Sequence, residues 1–200
     1  MKKLESTWYN MAGVLTVIAL IAGAALGYVN ELTKGPIEEI KAQQLADGIK
    51  KVLGADDLTV SATDELEGGT TIYTTDKGVA VKTSDPKGFG GTLTVLVGFD
   101  AEGTIKGYQI LETKETPGLG VKAEFWFQEG QKGNIIGKNP ATNNLTVSKD
   151  GGEVDAITAS TITSRAFLRA VNAAYSAVAG ASQSDANSGA TVQAKSDVQQ

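Results

Sequence analysis

The chain has no cysteine and no histidine. Without cysteine there can be no disulfide, no thiolate nucleophile, no cysteine-ligated iron–sulfur cluster and no zinc knuckle. Without histidine the usual general base, proton shuttle and haem or zinc ligand are missing, and a Ser–His–Asp triad is impossible. Positive charge is also in short supply. The 18 Lys and Arg are outnumbered by 23 Asp and Glu, for a net charge of -5. The basic residues are scattered and form no stripe, which argues against a nucleic-acid partner, because phosphate binding needs clustered cations. No carboxylate spacing resembles an EF-hand loop. Redox chemistry on such a chain would have to be carried by an organic cofactor.

What is present begins with an uncharged stretch from Ser6 to Asn30. Its apolar part, Trp8 to Val29, is about 22 residues, or ~33 Å as a helix, long enough to cross a bilayer core. Trp8, Tyr9 and Tyr28 stand at its two ends as interfacial aromatics do, and Lys2 and Lys3 favour a cytoplasmic N-terminus. The competing reading is a cleavable signal peptide, with small residues at Ala22, Ala24 and Gly27, but the apolar run is longer than a typical signal core. Gly23 and Gly27 form a GxxxG pair that would let another helix approach closely. The organisation expected is therefore an N-terminus and transmembrane anchor over 1–30, an amphipathic juxtamembrane helix over 31–54, a folded domain over 55–180 and a disordered tail over 181–200.

Pro36 suits the first turn of the second helix and Gly54 its stop, with Ile37, Ile40, Leu45, Ile49, Val52 and Leu53 at helical spacing between them. The middle of the chain reads as β-rich. Thr71–Tyr73, Val79–Lys82 and Thr92–Phe99 are strand candidates, and Leu93, Val95, Val97 and Phe99 would share a face. Asp100–Gly103 reads as a turn into a partner strand, Thr104–Leu111. Ala123–Gln128 suggests a short helical turn and Leu145–Ser148 a short strand. A final helix, capped by Thr163 or Ser164, would bury Phe167, Leu168, Val171, Ala174, Tyr175 and Val178 and end at Gly180. The fold class expected is α+β, a twisted antiparallel sheet with packed helices behind one transmembrane helix.

Two segments carry chemistry. Asp155–Ser164 holds five hydroxyl side chains just before the last helix. A helix N-terminus offers unpaired N–H groups and a positive dipole end, a ready site for a phosphate, with Arg165 as a nearby cation. By itself such a segment also reads as an ordinary helix cap. Glu115–Thr–Pro–Gly–Leu–Gly120 is a side-chain-poor turn that lets backbone approach a flat ligand, and Leu119 could pack on a ring face. By itself it too reads as a plain turn. Gly88, Gly90 and Gly91 lack the strand-to-helix context of a phosphate loop.

In order along the chain, the anchor, the GFGG at Gly88–Gly91, ETPGLG with Phe125 and Trp126 after it, GKNP at Gly137–Pro140 and DAITASTITSRA resemble the RnfG family. Its members are the G-type subunits of the ion-translocating ferredoxin:NAD oxidoreductase (Rnf) complex. The family is related to the C-type subunits of the sodium-translocating NADH:quinone reductase, a second possible assignment alongside a flavin-free assembly protein. The family's attachment pattern falls on Asp155, Thr158, Ala159, Ser160 and Thr161. Ala159 stands where the pattern has glycine, and Ser160 where it has alanine.

The resemblance implies FMN joined covalently through its phosphate to Thr161, attached by a separate flavin transferase that uses FAD as donor. It implies electron relay among the other membrane subunits of the Rnf complex. It also implies a single-pass protein of the bacterial cytoplasmic membrane with its C-terminal domain on the extracytoplasmic side. Glu115, Thr116, Gly118, Leu119 and Gly120 would lie beside the isoalloxazine ring. Lys138 and Asn139 would contact the ring or the ribityl chain, and Thr158, Ser160, Ile162 and Thr163 would flank the acceptor. No residue is expected to act on a substrate as an acid or base.

Overall fold

The computed structural model describes residues 8–66 and 68–196, which divide into two units, Met1–Gln44 and Leu45–Gln200. The described residues of the first unit are all helical. Here α1 (Trp8–Leu53) begins, with its large apolar side chains from Trp8 to Val29 exposed. Among the described residues α1 is the one helix long and apolar enough to cross a membrane. The hydroxyls of Thr16 and Thr33 donate to the carbonyls of Ala12 and Val29, each at 2.8 Å. They are thereby satisfied within the helix, as apolar surroundings require. The sequence places a new helix start at Pro36, but α1 runs through Gly35 and Pro36 without a break. An interior proline removes one hydrogen bond and crowds the carbonyl four residues back. The run of good helix formers that follows, Glu38 to Leu45, sustains the helix past it.

In the second unit the end of α1 buries Ile49, Val52 and Leu53. Gly54 closes the helix with φ +66°, and the Ala55 N–H donates to the Lys50 carbonyl at 3.1 Å, the left-handed stop that glycine permits. Five strands follow: β1 (Val60–Leu66), β2 (Thr70–Thr75), β3 (Gly78–Asp85), β4 (Leu93–Phe99) and β5 (Ile105–Glu112). They pair in chain order as one antiparallel sheet. β1 escapes a sequence reading because every residue in it is exposed and no apolar alternation marks it. Its pairing with β2, from Val60 opposite Thr75 to Leu66 opposite Thr70, is what makes it a strand.

Interior strand β4, between β3 and β5, is buried along its whole length because both faces of the sheet are covered there. Leu93, Val95, Val97 and Phe99 enter the main core, as their alternation predicts. Leu96 and Ala80 face the other way, against Ile49, Val52 and Leu53 of α1. Gly98 and Gly107 are cross-strand partners beneath that helix end. A Cβ at Gly98 would fall 2.5 Å from the Val52 carbonyl oxygen, so the close approach requires glycine there.

The main core is closed by α2 (Ala123–Trp126) and α3 (Thr161–Ser196). Phe127 and Phe167 stack with centroids 4.3 Å apart, and Tyr108 meets Phe167 edge-on. The Tyr108 hydroxyl donates to the Ala123 carbonyl at 2.7 Å and accepts from the Phe127 N–H at 3.2 Å. Burial pushes its pKa well above the usual tyrosine value. Arg169 of α3 grips Asp85, at the end of β3, through two hydrogen bonds of 2.8 and 2.9 Å.

The architecture is α+β, as the sequence predicts. Beyond the helix start at Pro36, two further local expectations fail. Leu145–Ser148 is not a strand: one parallel bridge, Val147 with Val154, precedes a 3₁₀ turn, Ser148–Asp150. Too few residues there find a partner strand. The last helix also does not stop at Gly180 but passes through it to Ser196. Glycine inside a helix costs only ~1 kcal/mol relative to alanine, and alanines flank it here. Residues 197–200 of the expected tail lie outside the described residues.

Candidate functional site

The start of α3 is shaped by an unusual backbone. Ala159 has φ +62°, and it is the one non-glycine residue with positive φ among the described residues. That conformation costs a side-chain-bearing residue about 1–2 kcal/mol. It turns the chain so that Thr161 opens the helix. The amides of Thr161, Ile162 and Thr163 fall in the first turn, where no intrahelical acceptor exists, and the Ser164 N–H makes the first such bond, to Ser160 O at 3.0 Å.

The hydroxyls of this segment do different work from simple capping. Ser164 accepts from the Ile157 N–H and donates to the Ser160 carbonyl, both at 3.0 Å, and so braces the turn from inside. Thr163 donates to Glu115 Oε2 at 2.9 Å, a buried bond across 48 residues of sequence. Neither is the side-chain cap expected of it. Arg165 is likewise not a free cation for a phosphate. It is held by Asp150 through bonds of 2.6 and 2.7 Å, which raise its own pKa and lower that of Asp150.

Around this helix start lies a cleft of about 320 Å³. Its walls are Glu115, Thr116, Leu119 and Gly120 on one side, residues 159–163 on another, and Phe89 at the rim. Thr116 through Leu119 forms a tight turn, with the Leu119 N–H on the Thr116 carbonyl at 3.1 Å and Gly118 at φ +77°. That conformation suits glycine after proline. Glu115 is 7% exposed, and its Oε1 has no hydrogen-bond partner. A buried, unpaired carboxyl oxygen is costly unless something else supplies a donor. A second cleft of about 320 Å³ meets the first at Ala159 and Thr161, with Trp126, Lys132, Ser148, Lys149, Asp155 and Thr158 among its lining residues. Asp155 is fixed there, its carbonyl accepting from Trp126 Nε1 at 2.8 Å and its carboxylate from Ser148 Oγ at 3.2 Å.

Of the residues picked out from sequence, Glu115, Thr116, Leu119, Gly120, Ser160, Thr161, Ile162 and Thr163 line the first cleft. Thr158 lines the second. Gly118 supplies the turn without lining either. Lys138 and Asn139 line neither cleft. The Lys138 backbone pairs with Ile105 and Ile135. The Asn139 side chain holds the Glu102 carbonyl at 2.7 Å and the Ala141 N–H at 2.9 Å. Their chemistry is that of a loop bound to the β4–β5 turn. Sequence reasoning missed Phe89. The signal available was an aromatic residue set among glycines in GFGG.

The two clefts thus meet beside a helix N-terminus, with Thr161 at their junction and a buried Glu115 carboxyl oxygen without a donor. The matching class is a flavin-binding one: residues 88–176 match the FMN-binding domain family. The G-type subunit of the Na(+)-translocating ferredoxin:NAD(+) oxidoreductase complex of Acetobacterium woodii is 31% identical over 192 residues, covering 86% of this chain and 93% of that protein. The G-type subunit of the ion-translocating oxidoreductase complex of Shewanella amazonensis is 32% identical over 181 residues, covering 80% and 82%. Its counterpart in Cronobacter sakazakii is 34% identical over 177 residues, covering 80% and 85%. The chain belongs to the RnfG family, the G-type subunits of ion-translocating oxidoreductase complexes.

Proposed function

We propose that this chain is the FMN-bearing RnfG component of an ion-translocating ferredoxin:NAD oxidoreductase complex, with the flavin bound covalently at Thr161. The observation that carries this reading is the meeting of the two sequence motifs in one cleft, joined by the Thr163–Glu115 hydrogen bond. The residues present suit the group. The first-turn amides of α3 offer N–H donors and a positive dipole end to a phosphate ester on Thr161. The unpaired Glu115 oxygen is an acceptor for an N–H of a ring. Gly120 adds no side chain to the cleft wall and Leu119 offers an apolar one, which suits a planar face. When bound, FMN supplies reversible electron uptake, which no side chain of a chain without Cys or His offers.

Attachment forms a Thr161 Oγ–phosphorus bond and breaks the pyrophosphate bond of FAD, with AMP as leaving group, on a separate flavin transferase. Thr161 is the better acceptor than Ser160 because it borders both clefts, whereas Ser160 is buried and borders one. That Ala159 keeps the left-handed conformation the turn needs supports a working site and not a degenerate one. The partners are the other membrane subunits of the complex. α1 is the anchor, with the second unit on the extracytoplasmic side.

The test is flavin fluorescence of the protein band in a denaturing gel after co-expression with a flavin transferase. Wild type is expected to fluoresce and Thr161→Ala to be dark, with peptide mass mapping placing the FMN on Thr161. A dark wild-type band, or FMN mapped to Ser160, overturns the assignment.

A further inference from the structure

The loop of Gly88, Phe89 and Gly90 takes no part in tethering the flavin. Phe89 is a large apolar side chain, 69% exposed, yet it lines the same cleft as Thr161. An exposed phenylalanine alone needs no explanation, but the backbone on either side of it is anchored unusually tightly. A Cβ at Gly88 would lie 2.4 Å from the Gly91 carbonyl oxygen and 2.8 Å from Glu115 Oε1. A Cβ at Gly90 would lie 1.9 Å from the Lys114 carbonyl oxygen and 2.8 Å from the Glu115 nitrogen. Both contacts require the bare backbone of glycine. They press the loop onto Lys114–Glu115, in the segment that follows β5 and opens the ETPGLG turn. The side chain between them is thereby held at the cleft rim. Two further exposed apolar residues, far apart in sequence, line the same cleft: Leu119 at 41% and Ile162 at 48%.

We infer that Phe89 is a ring-binding residue of this site: its phenyl group packs on the isoalloxazine of the flavin tethered at Thr161, with Leu119 and Ile162 completing an apolar clamp. The occupant is set by the tether, since Thr161 borders the cleft that the three side chains rim. Aromatic pairs favour offset or edge-to-face contact and add to the gain from area buried. This inference rests on the flavin assignment at Thr161.

The experiment uses the full-length, covalently loaded protein in detergent. Flavin content is read by absorbance, and ring shielding by quenching of flavin fluorescence with iodide. Phe89→Ala is expected to keep its covalent flavin and to show a several-fold larger quenching constant, moving toward that of free FMN, with a changed visible absorption band shape. Phe89→Tyr should match wild type. Phe125→Ala is the control, because Phe125 is 58% exposed but is not among the residues lining this cleft; its quenching should not change. Unchanged quenching and spectrum in Phe89→Ala overturn the inference, and a loss of electron transfer with that unchanged spectrum would assign Phe89 to a contact with another component of the complex instead. If Phe89→Ala takes up no flavin, Phe89→Leu, which keeps apolar bulk without a ring, decides by the same readout. A wild-type protein without covalent flavin overturns the functional assignment itself, a different outcome from a loaded protein insensitive to Phe89.

Discussion

The most informative single position is Ala159. The sequence shows only that alanine stands where the related pattern has glycine, and the structure shows the cost, a left-handed φ of +62° carried by a residue with a Cβ. Glycine relieves that strain at the expense of some unfolded-chain entropy, so Ala159→Gly should stabilise the protein by about 1 kcal/mol. For a chain of this size that is a Tm rise of about 2–4 °C, measurable by calorimetry, with covalent flavin content unchanged. Thr163 is the second such position. Among the described residues its hydroxyl is the only donor to either Glu115 carboxyl oxygen, through the bond to Oε2. Thr163→Val keeps the shape and leaves both oxygens unpaired, at a cost of about 1–3 kcal/mol, whereas Thr163→Ser should retain most of the stability. Urea unfolding of the flavin-free proteins checks this. If valine costs no more than serine, the bond contributes little.

At the scale of elements, the site depends on α3 being pinned to the sheet at its first turns. Asp85 and Arg169 do this with a two-bond ion pair, Asp85 mostly covered and Arg169 half-exposed. Burial pushes the Asp85 carboxyl up, but the bonds from Arg169 and the Lys87 N–H outweigh it, and the net pKa lies below the ordinary carboxylate value. A depressed folded-state pKa contributes stability that is complete above the unfolded value and is lost as pH falls through the folded value. Arg169→Met should therefore destabilise the protein by about 1–3 kcal/mol at pH 7. Its difference from wild type should shrink once the pH drops below about 3.9. Paired urea melts at neutral pH and near pH 3 measure both. A difference that stays constant with pH would mean that packing of the arginine stem, not the charge pair, matters.

For the whole molecule the testable property is topology. A cysteine-free chain gives a clean background for labelling. Lys106 is exposed on β5 in the second unit. Lys106→Cys should react with a membrane-impermeant maleimide added to intact spheroplasts, as expected of an extracytoplasmic domain behind a cytoplasmic N-terminus. Reaction only after the membrane is broken would reverse the sidedness. The full chain should also stay with membranes through an alkaline carbonate wash, because α1 leaves its apolar side chains from Trp8 to Val29 exposed.

Much of this was legible in local sequence. The uncharged apolar run marks α1, the alternation of Leu93, Val95, Val97 and Phe99 marks β4, and the stripe from Phe167 to Val178 marks α3. Each is a periodic burial pattern that a chain must carry if the element is to pack. Motif order also brought forward Thr161 and the ETPGLG turn. Other features were invisible because they arise from contacts distant in sequence. β1 has no apolar face and exists through its partner strand. The Lys138 backbone and the Asn139 side chain secure the loop at the β4–β5 turn, through bonds that nothing in their local sequence announces. Arg165 looked available to a phosphate and is taken by Asp150. Phe89 looked incidental until glycine packing on Lys114 and Glu115 set it at the cleft. Sequence by itself determined which segments bury their side chains, since burial follows from spacing along the chain; it also put a run of hydroxyls just before the last helix, although α3 opens at Thr161 and not after Thr163 or Ser164. Only the tertiary structure decided which polar groups already have partners and which side chains remain free to meet a ligand, because hydrogen bonds and close approaches across 48 residues depend on the folded geometry alone.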